Sequence, residues 1–514
     1  MRWIYVLSLR AAVIILICLF IPIGYLTAEI ISSNDSDKIN KSIELGIECH
    51  SGTPPVLEFV LKDPKDVVRK IDFDFDDDGL AELELTKRYP KNVVVFRGVP
   101  FRKPGLYHFT AFIHTENNIY LRKYELAFTK FTWGKNNFNF ANDGEFEDKI
   151  SFVSRTILDW GKDRFGDLNN RERLILLYIM YSLYKGSIGR CYGFSGGELL
   201  YIKNPDLLPW PYNYAFEIPE IDPRIIRDMD FVQNDIVFTN FVNKRIVIDK
   251  RQNNVDLKRQ LRLIESTIKG NVPIILGYVS RKMHHSMVVY GYWRNLYRNK
   301  TTLLTANNWE RNQNNNIYSE DAENIVVTMK GNTHRIIWHD LTYNRYRYPD
   351  ILFGIEPRAK YILKKDEFRS LIDRYEKYII EKNVNILMIE KTETAYVVDR
   401  EGRKVGFDKP DTYYGIYDVK FKKIDYNYLF EIPAKRDVTL VLKKRRFNSI
   451  KSMYKKVNIF IISPGCSLST GEYYDVKIFD NKESYFKIAK GRLVRRESLE
   501  GRNTIDKQNK TLRK

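Results

Sequence analysis

Gly189-Arg190-Cys191-Tyr192-Gly193-Phe194-Ser195-Gly196-Gly197 is followed far along the chain by His284-His285-Ser286-Met287-Val288-Val289-Tyr290-Gly291-Tyr292, and then by Asn307-Asn308-Trp309. A thiol among glycines comes first, an imidazole at the head of an apolar run second, a side-chain amide third. A thiol attacks carbonyls as the thiolate, so a working cysteine needs a lowered pKa, which a helix N-terminus and a neighbouring imidazole supply. Residues 192–202 read as a helix that starts at Cys191 and stops before Pro205. Gly193, Gly196 and Gly197 weaken such a helix in isolation, but they let neighbouring backbone come close, as a buried central helix requires. By itself the cysteine reads equally as a buried structural thiol in a glycine-rich turn.

Ser286–Tyr292 reads as an apolar strand whose mouth is occupied by the two histidines. Adjacent strand residues point to opposite faces, so only one of His284 and His285 can serve a given site. The plain alternative is a satisfied core histidine, and for the asparagines a polar turn.

The order of the three stretches, with His-(small)-x-(apolar)-x-x-Gly-Tyr and Asn-x-Trp, resembles the papain-like cysteine peptidases. The resemblance covers residues 146–357 and implies an α+β domain with helices first and sheet second. It implies Cys191 as nucleophile, His285 as base and Asn307 as the amide that holds the imidazole, with His284 and Asn308 as alternates. It departs from the family at Lys185, where relatives carry a Gln that completes the oxyanion hole. Lysine donates hydrogen bonds too, but from a long stem that is poorly preorganised. Other hydrolase chemistries are weaker. Gly193-Phe194-Ser195-Gly196-Gly197 fits Gly-x-Ser-x-Gly formally, yet no buried strand runs into it. There is no His-Glu-x-x-His, and without a Cys-x-x-Cys there is no structural zinc pattern.

Outside this region the expected fold is multidomain. Residues 1–28 hold an uncharged run, Ala11 to Ala28, behind Arg2 and Arg10. That is just enough for the roughly 20 residues a bilayer needs. It reads as a signal peptide or a transmembrane anchor, with the bulk of the chain extracytoplasmic, so the expected location is the cell membrane as a single-pass protein, or secretion. Residues 29–45 are a polar tether. Residues 46–130 carry alternating strands, including Ile71-Asp72-Phe73-Asp74-Phe75-Asp76 and Gly105–Phe112, and resemble a PKD-type immunoglobulin-like β-sandwich. Residues 365–383 form a linking amphipathic helix, 384–490 a small C-terminal β-sandwich, and 491–514 a basic disordered tail.

The period-2 pattern turns Phe73 and Phe75 inward and sets Asp72, Asp74 and Asp76 on one outer edge. Asp74-x-Asp76-x-Asp78-Gly79 matches the first half of a calcium loop, but the twelfth position is Leu85, so the bidentate glutamate is missing. Structural calcium at Asp74, Asp76 and Asp78 is set against a solvated acidic edge. No cofactor is required for the thiol chemistry.

The net charge of +19 invites a nucleic-acid reading, but the basic clusters, Lys443–Arg446 and the tail, lack a recognition motif. Nucleic acid is not an expected partner, and anionic cell-envelope polymers suit such charge better. Of the four cysteines, Cys18 lies in the apolar run, and a Cys49–Cys466 disulfide is one arrangement that leaves Cys191 as a thiol. The expected protein is thus a membrane-anchored or secreted thiol hydrolase acting on a peptide or protein substrate. Two rivals stand beside it: a transglutaminase-like acyl transferase on the same fold, and a catalytically inactive cell-surface binding protein.

Overall fold

A computed structural model describes the chain from Ile43 to Arg496, apart from intervening stretches of which the longest are 140–152, 243–256, 308–323, 356–364 and 444–455. The expected N-terminal segment (1–28), most of the tether and the basic tail therefore lie outside the described residues. So do Lys185, Asn308, Trp309 and Cys466, together with the side chains of Cys49 and His284. Among the described residues no helix is long and apolar enough to cross a membrane.

The described residues form several antiparallel sheets and six α-helices: α1 (Val153–Phe165), α2 (Asn170–Leu183), α3 (Cys191–Lys203), α4 (Pro223–Val242), α5 (Leu257–Lys269) and α6 (Lys365–Lys382). Two compact units divide them. The first comprises Met1–Asn142, Phe194–Asp222 and Asn253–Pro357, the second Asp143–Gly193, Pro223–Gln252 and Arg358–Lys514.

In the first unit β1 (Glu44–His50), β2 (Val56–Lys62), β3 (Val68–Asp74), β4 (Leu83–Leu85), β5 (Val93–Gly98), β6 (Gly105–Thr115) and β7 (Ile119–Phe128) precede the thiol segment. Then follow β8 (Ile274–Val279), β9 (His284–Asn295), β10 (Lys300–Ala306), β11 (Asn324–Lys330), β12 (Thr333–Asp340), β13 (Arg345–Arg347) and β14 (Ile351–Ile355). Strands β1, β2 and β5 form a small sheet that faces β3, β6 and β7 across an aromatic layer. Phe59 of β2 meets Phe73 at 4.7 Å between ring centroids and packs edge-on against Phe109 and Tyr124. Burying a ring of this size contributes about 2–3 kcal/mol.

The second sheet of this pair does not stop at β7. It runs β13-β12-β11-β10-β9-β7-β6-β3-β4, with β8 also paired to β9 and β14 to β8. Tyr124–Phe128 align with Asn295–Gly291, so the sheet of segment 46–130 is continuous with the strand that begins at the histidines. At the changeover between β8 and β7 along one edge of β9, Tyr290 O accepts the Thr129 N–H at 2.8 Å and its hydroxyl at 3.0 Å. The β9–β10 register shifts beside it. Gly291 is required there: a Cβ would sit 2.9 Å from Ala127 O and 2.9 Å from Leu304 Cδ1. Helix α5 covers one face of β8–β10 through Leu257, Leu261, Ile264 and Ile268 against Ile274, Leu276, Met287, Val289 and Leu303.

The expectation of an exposed Asp72–Asp74 edge is corrected by β3's position between β4 and β6. Asp72 and Asp74 are each 1 % exposed. Asp72 is covered by Lys70 Nζ at 3.1 Å from its own strand and by His114 Nε2 at 2.8 Å from the neighbouring β6, a partner that a solvated edge would lack.

In the second unit α1, α2, α4 and α6 cluster around aromatic contacts such as Phe165–Phe368, stacked at 3.9 Å, and Trp160–Phe238. Helix α2 starts where Asn169 and Glu172 form a reciprocal capping box, each side chain taking the other's backbone N–H. After α6 come β15 (Val384–Glu390), β16 (Thr394–Asp399), β17 (Lys404–Asp408), β18 (Asp411–Tyr414), β19 (Lys420–Ile424), β20 (Asn427–Pro433), β21 (Val438–Lys443), β22 (Lys456–Ile462), β23 (Glu472–Lys477), β24 (Glu483–Ala489) and β25 (Arg492–Arg496). They form a five-stranded and a six-stranded sheet. One core joins Leu387, Phe430 and Ile459 of the first to Val397, Leu440 and Phe486 of the second. Glu390, fully buried at the end of β15, accepts from Ser154 N and Oγ at 2.7 Å each, from Asn458 Nδ2 at 3.1 Å and from the Tyr181 hydroxyl. Four donors on one carboxylate hold the helices to the sandwich.

Gly291→Ala is expected to lower the urea unfolding midpoint, with a loss of about 1–3 kcal/mol, because the added methyl must push β7 away from β9. An unchanged midpoint would show that the two strands are not held at this spacing.

Candidate functional site

Cys191 opens α3 and is 7 % exposed; it is a thiol and not half of a disulfide. The helix start is fastened to α4 within the second unit. Arg190 pairs with Asp230, Nη2 lying 3.3 Å from Oδ2, and both side chains are nine-tenths buried. The Gly193 N–H donates to Gln233 Oε1 at 2.8 Å, which satisfies one of the open N–H groups of a helix N-terminus. A Cβ on Gly193 would collide with the Met229 carbonyl oxygen, so the helix can lie this close to α4 only with glycine at that position. Cys191 is thus fixed at the positive end of a thirteen-residue helix.

From Phe194 onward α3 belongs to the first unit. Phe194 and Tyr201 pack edge-on against Phe138. Ser195, one helical turn after Cys191, is fully buried with its Oγ 3.4 Å from Ser286 Oγ. Glu198 continues the same face at the i, i+4, i+7 spacing. It is 3 % exposed and accepts the Phe138 N–H at 3.2 Å. Burial pushes its carboxyl up to about 8.

His285 is the second residue of β9 and Asn307 follows β10. The structure brings these two together: His285 Nε2 lies 2.8 Å from Asn307 Oδ1, both side chains buried. A carbonyl oxygen only accepts, so Nε2 carries the proton in this bond, and Nδ1 is the ring nitrogen left for other chemistry. Tyr278, opposite His285 in the β8–β9 register, meets the ring edge-on at 5.7 Å. Cys191 falls in the second unit, His285 and Asn307 in the first.

The acidic turn between β3 and β4 is a second cluster. One oxygen from each of Asp74, Asp76, Asp78 and Glu82 lies within 4.8 Å of the others. The hairpin register gathers them: Phe73 pairs with Leu83, and Glu82 N–H donates to Phe73 O at 3.0 Å. Leu85, the twelfth position, is opposite Ile71 in the ladder and offers no ligand. Burial, with Asp76 and Asp74 close by, pushes the Glu82 carboxyl up. Sequence reading missed Glu82 because it counted a helical loop's spacing. A hairpin returns the chain sooner, and the Asp78-Gly79 turn followed by the short Leu83–Leu85 strand was the available signal.

Comparison with family models, with curated proteins and with solved structures finds no match to this chain.

Glu198 makes a pH prediction. Its native pKa near 8 stands above the ordinary 4.5, so between these values the native state keeps a proton that the unfolded chain has released. Stability is therefore expected to fall as pH rises through this window, by up to ~1.4 kcal/mol per pH unit, and to level off above it. Urea unfolding of Glu198→Gln at pH 5 and pH 8 should show a smaller loss across that interval than the parent chain. Equal losses in the two proteins would place the carboxyl in a solvated setting.

Proposed function

We propose that the protein is a thiol hydrolase of peptide or amide bonds, with Cys191 as nucleophile, His285 as base and Asn307 as the positioning residue. The observation that carries the reading is the His285–Asn307 pair, in which the amide oxygen holds the ring in the tautomer a base requires. His285 is the second residue of its strand and is fully buried, so its ring is held in one place by its surroundings.

In this mechanism His285 Nδ1 takes the Cys191 proton as the sulfur attacks the substrate carbonyl carbon. The Cys191 backbone N–H, at a helix N-terminus, donates to the oxyanion that forms. Collapse breaks the C–N bond, and the imidazolium gives its proton to the leaving amine. Water then adds to the thioester, losing a proton to His285, and the carboxylic product departs as the thiol is restored. A primary amine in place of water gives the transglutaminase-like outcome with the same residues. Membrane attachment through the N-terminal segment, and contact with anionic envelope polymers, complete the proposed setting.

An electrophilic thiol probe should label the full-length protein at Cys191, as mapped by mass spectrometry, and Cys191→Ala should abolish that labelling. His285→Ala should slow both labelling and hydrolysis of a fluorogenic peptide mixture by about 100-fold or more, Asn307→Ala by a smaller factor, and His284→Ala hardly at all. Labelling that persists in Cys191→Ala would overturn the nucleophile, and a strong effect of His284→Ala alone would transfer the base to that residue. Incorporation of a primary-amine dye without peptide hydrolysis would identify the acyl-transfer branch.

A further inference from the structure

We propose that the β3–β4 turn is a calcium site built from Asp74, Asp76, Asp78 and Glu82, separate from the thiol chemistry. Four carboxylates that place an oxygen each within 4.8 Å of the others repel unless a cation lies among them. Among the described residues no lysine or arginine forms an ion pair with any of the four, and the nearest such contact, Lys123 Nζ at 3.8 Å, goes to Asp77.

A second, independent observation points to the same place. Asp74 is 1 % exposed, and while its Oδ2 takes the Gly79 N–H at 2.8 Å, its buried Oδ1 accepts no hydrogen bond. A buried carboxylate oxygen without a donor is costly, and a metal ion removes that cost directly.

The donor set selects the ion. All four ligands are hard carboxylate oxygens, with no imidazole or thiolate, which suits calcium or magnesium over zinc or copper. Three of the carboxylates are exposed on a turn rather than held in a rigid octahedron, and calcium accepts six to eight oxygens in loose geometry with water completing the shell. The hairpin does here what an incoming helix does in a helical calcium loop: it carries the last carboxylate back to the first. In the bound state the ion would tie β4 to β3, and through Asp77, which accepts the Thr110 hydroxyl at 2.7 Å, to β6.

The test uses full-length protein stripped of divalent ions with a chelator. Calorimetric titration with calcium chloride should show one binding event with Kd between about 10⁻⁷ and 10⁻³ M. The thermal midpoint should climb with the logarithm of calcium concentration. Magnesium chloride should bind at least tenfold more weakly. Asp76 and Glu82 are exposed, so Asp76→Asn and the double variant Asp76→Asn/Glu82→Gln should keep the parent circular dichroism while weakening calcium at least tenfold and abolishing it, respectively. Absence of heat and of any midpoint shift up to millimolar calcium would overturn the proposal. So would an undiminished response in the double variant, or equal binding of magnesium.

Discussion

Strand β9 is the element on which the first unit depends, because it changes partner partway along one edge. Its first six residues pair with β8, its last five with β7, and β10 lines the other edge. The handover takes place at Tyr290 and Gly291. There one carbonyl collects two donors from Thr129, and the absence of a side chain lets β7 come within backbone distance. A branched residue at 291 would force a choice between the two neighbours. Because β8 stops where β7 begins, β9 has a partner along that edge over nearly its whole length, with His285 opposite Tyr278 near its start.

Buried carboxylates receive two different treatments in this chain. Glu390 is surrounded by donors from three separate segments, so its lone pairs are satisfied by hydrogen bonds and the helices α1 and α2 are pinned to the sandwich. Glu198 has one backbone donor, and burial instead raises its proton affinity. The first arrangement fixes geometry across a fold. The second leaves an acid on the same helix face as Cys191 that titrates within the physiological range.

Local signals were read well. The limits of α3 follow from Cys191 and Pro205, and α6 from its apolar spacing, and each has its cause within a few residues. The apolar run Ser286–Tyr292 likewise lies within a strand, β9. What sequence did not show is what distance creates. Nothing in 119–128 announces a partner in 284–295, so 46–130 reads as a free-standing module although its sheet continues. The Asp72–Asp74 edge reads as solvated because a strand's alternation cannot say which strands flank it. Asp230 and Gln233, which seat the start of α3, look like ordinary polar positions on an amphipathic helix until Arg190 and Gly193 are beside them.

The chain passes between its two units repeatedly, at residues 142, 193, 222, 252 and 357, and neither unit is a continuous piece of sequence. Fragment expression is constrained accordingly. A truncation near residue 130 would keep both faces of the N-terminal sandwich but strip β9 from β7, leaving a ten-residue strand with bare N–H and C=O groups along one side. Such an edge templates intermolecular pairing. Soluble sub-domains are accordingly better sought in the C-terminal sandwich, whose eleven strands lie in unbroken succession from Val384 to Arg496.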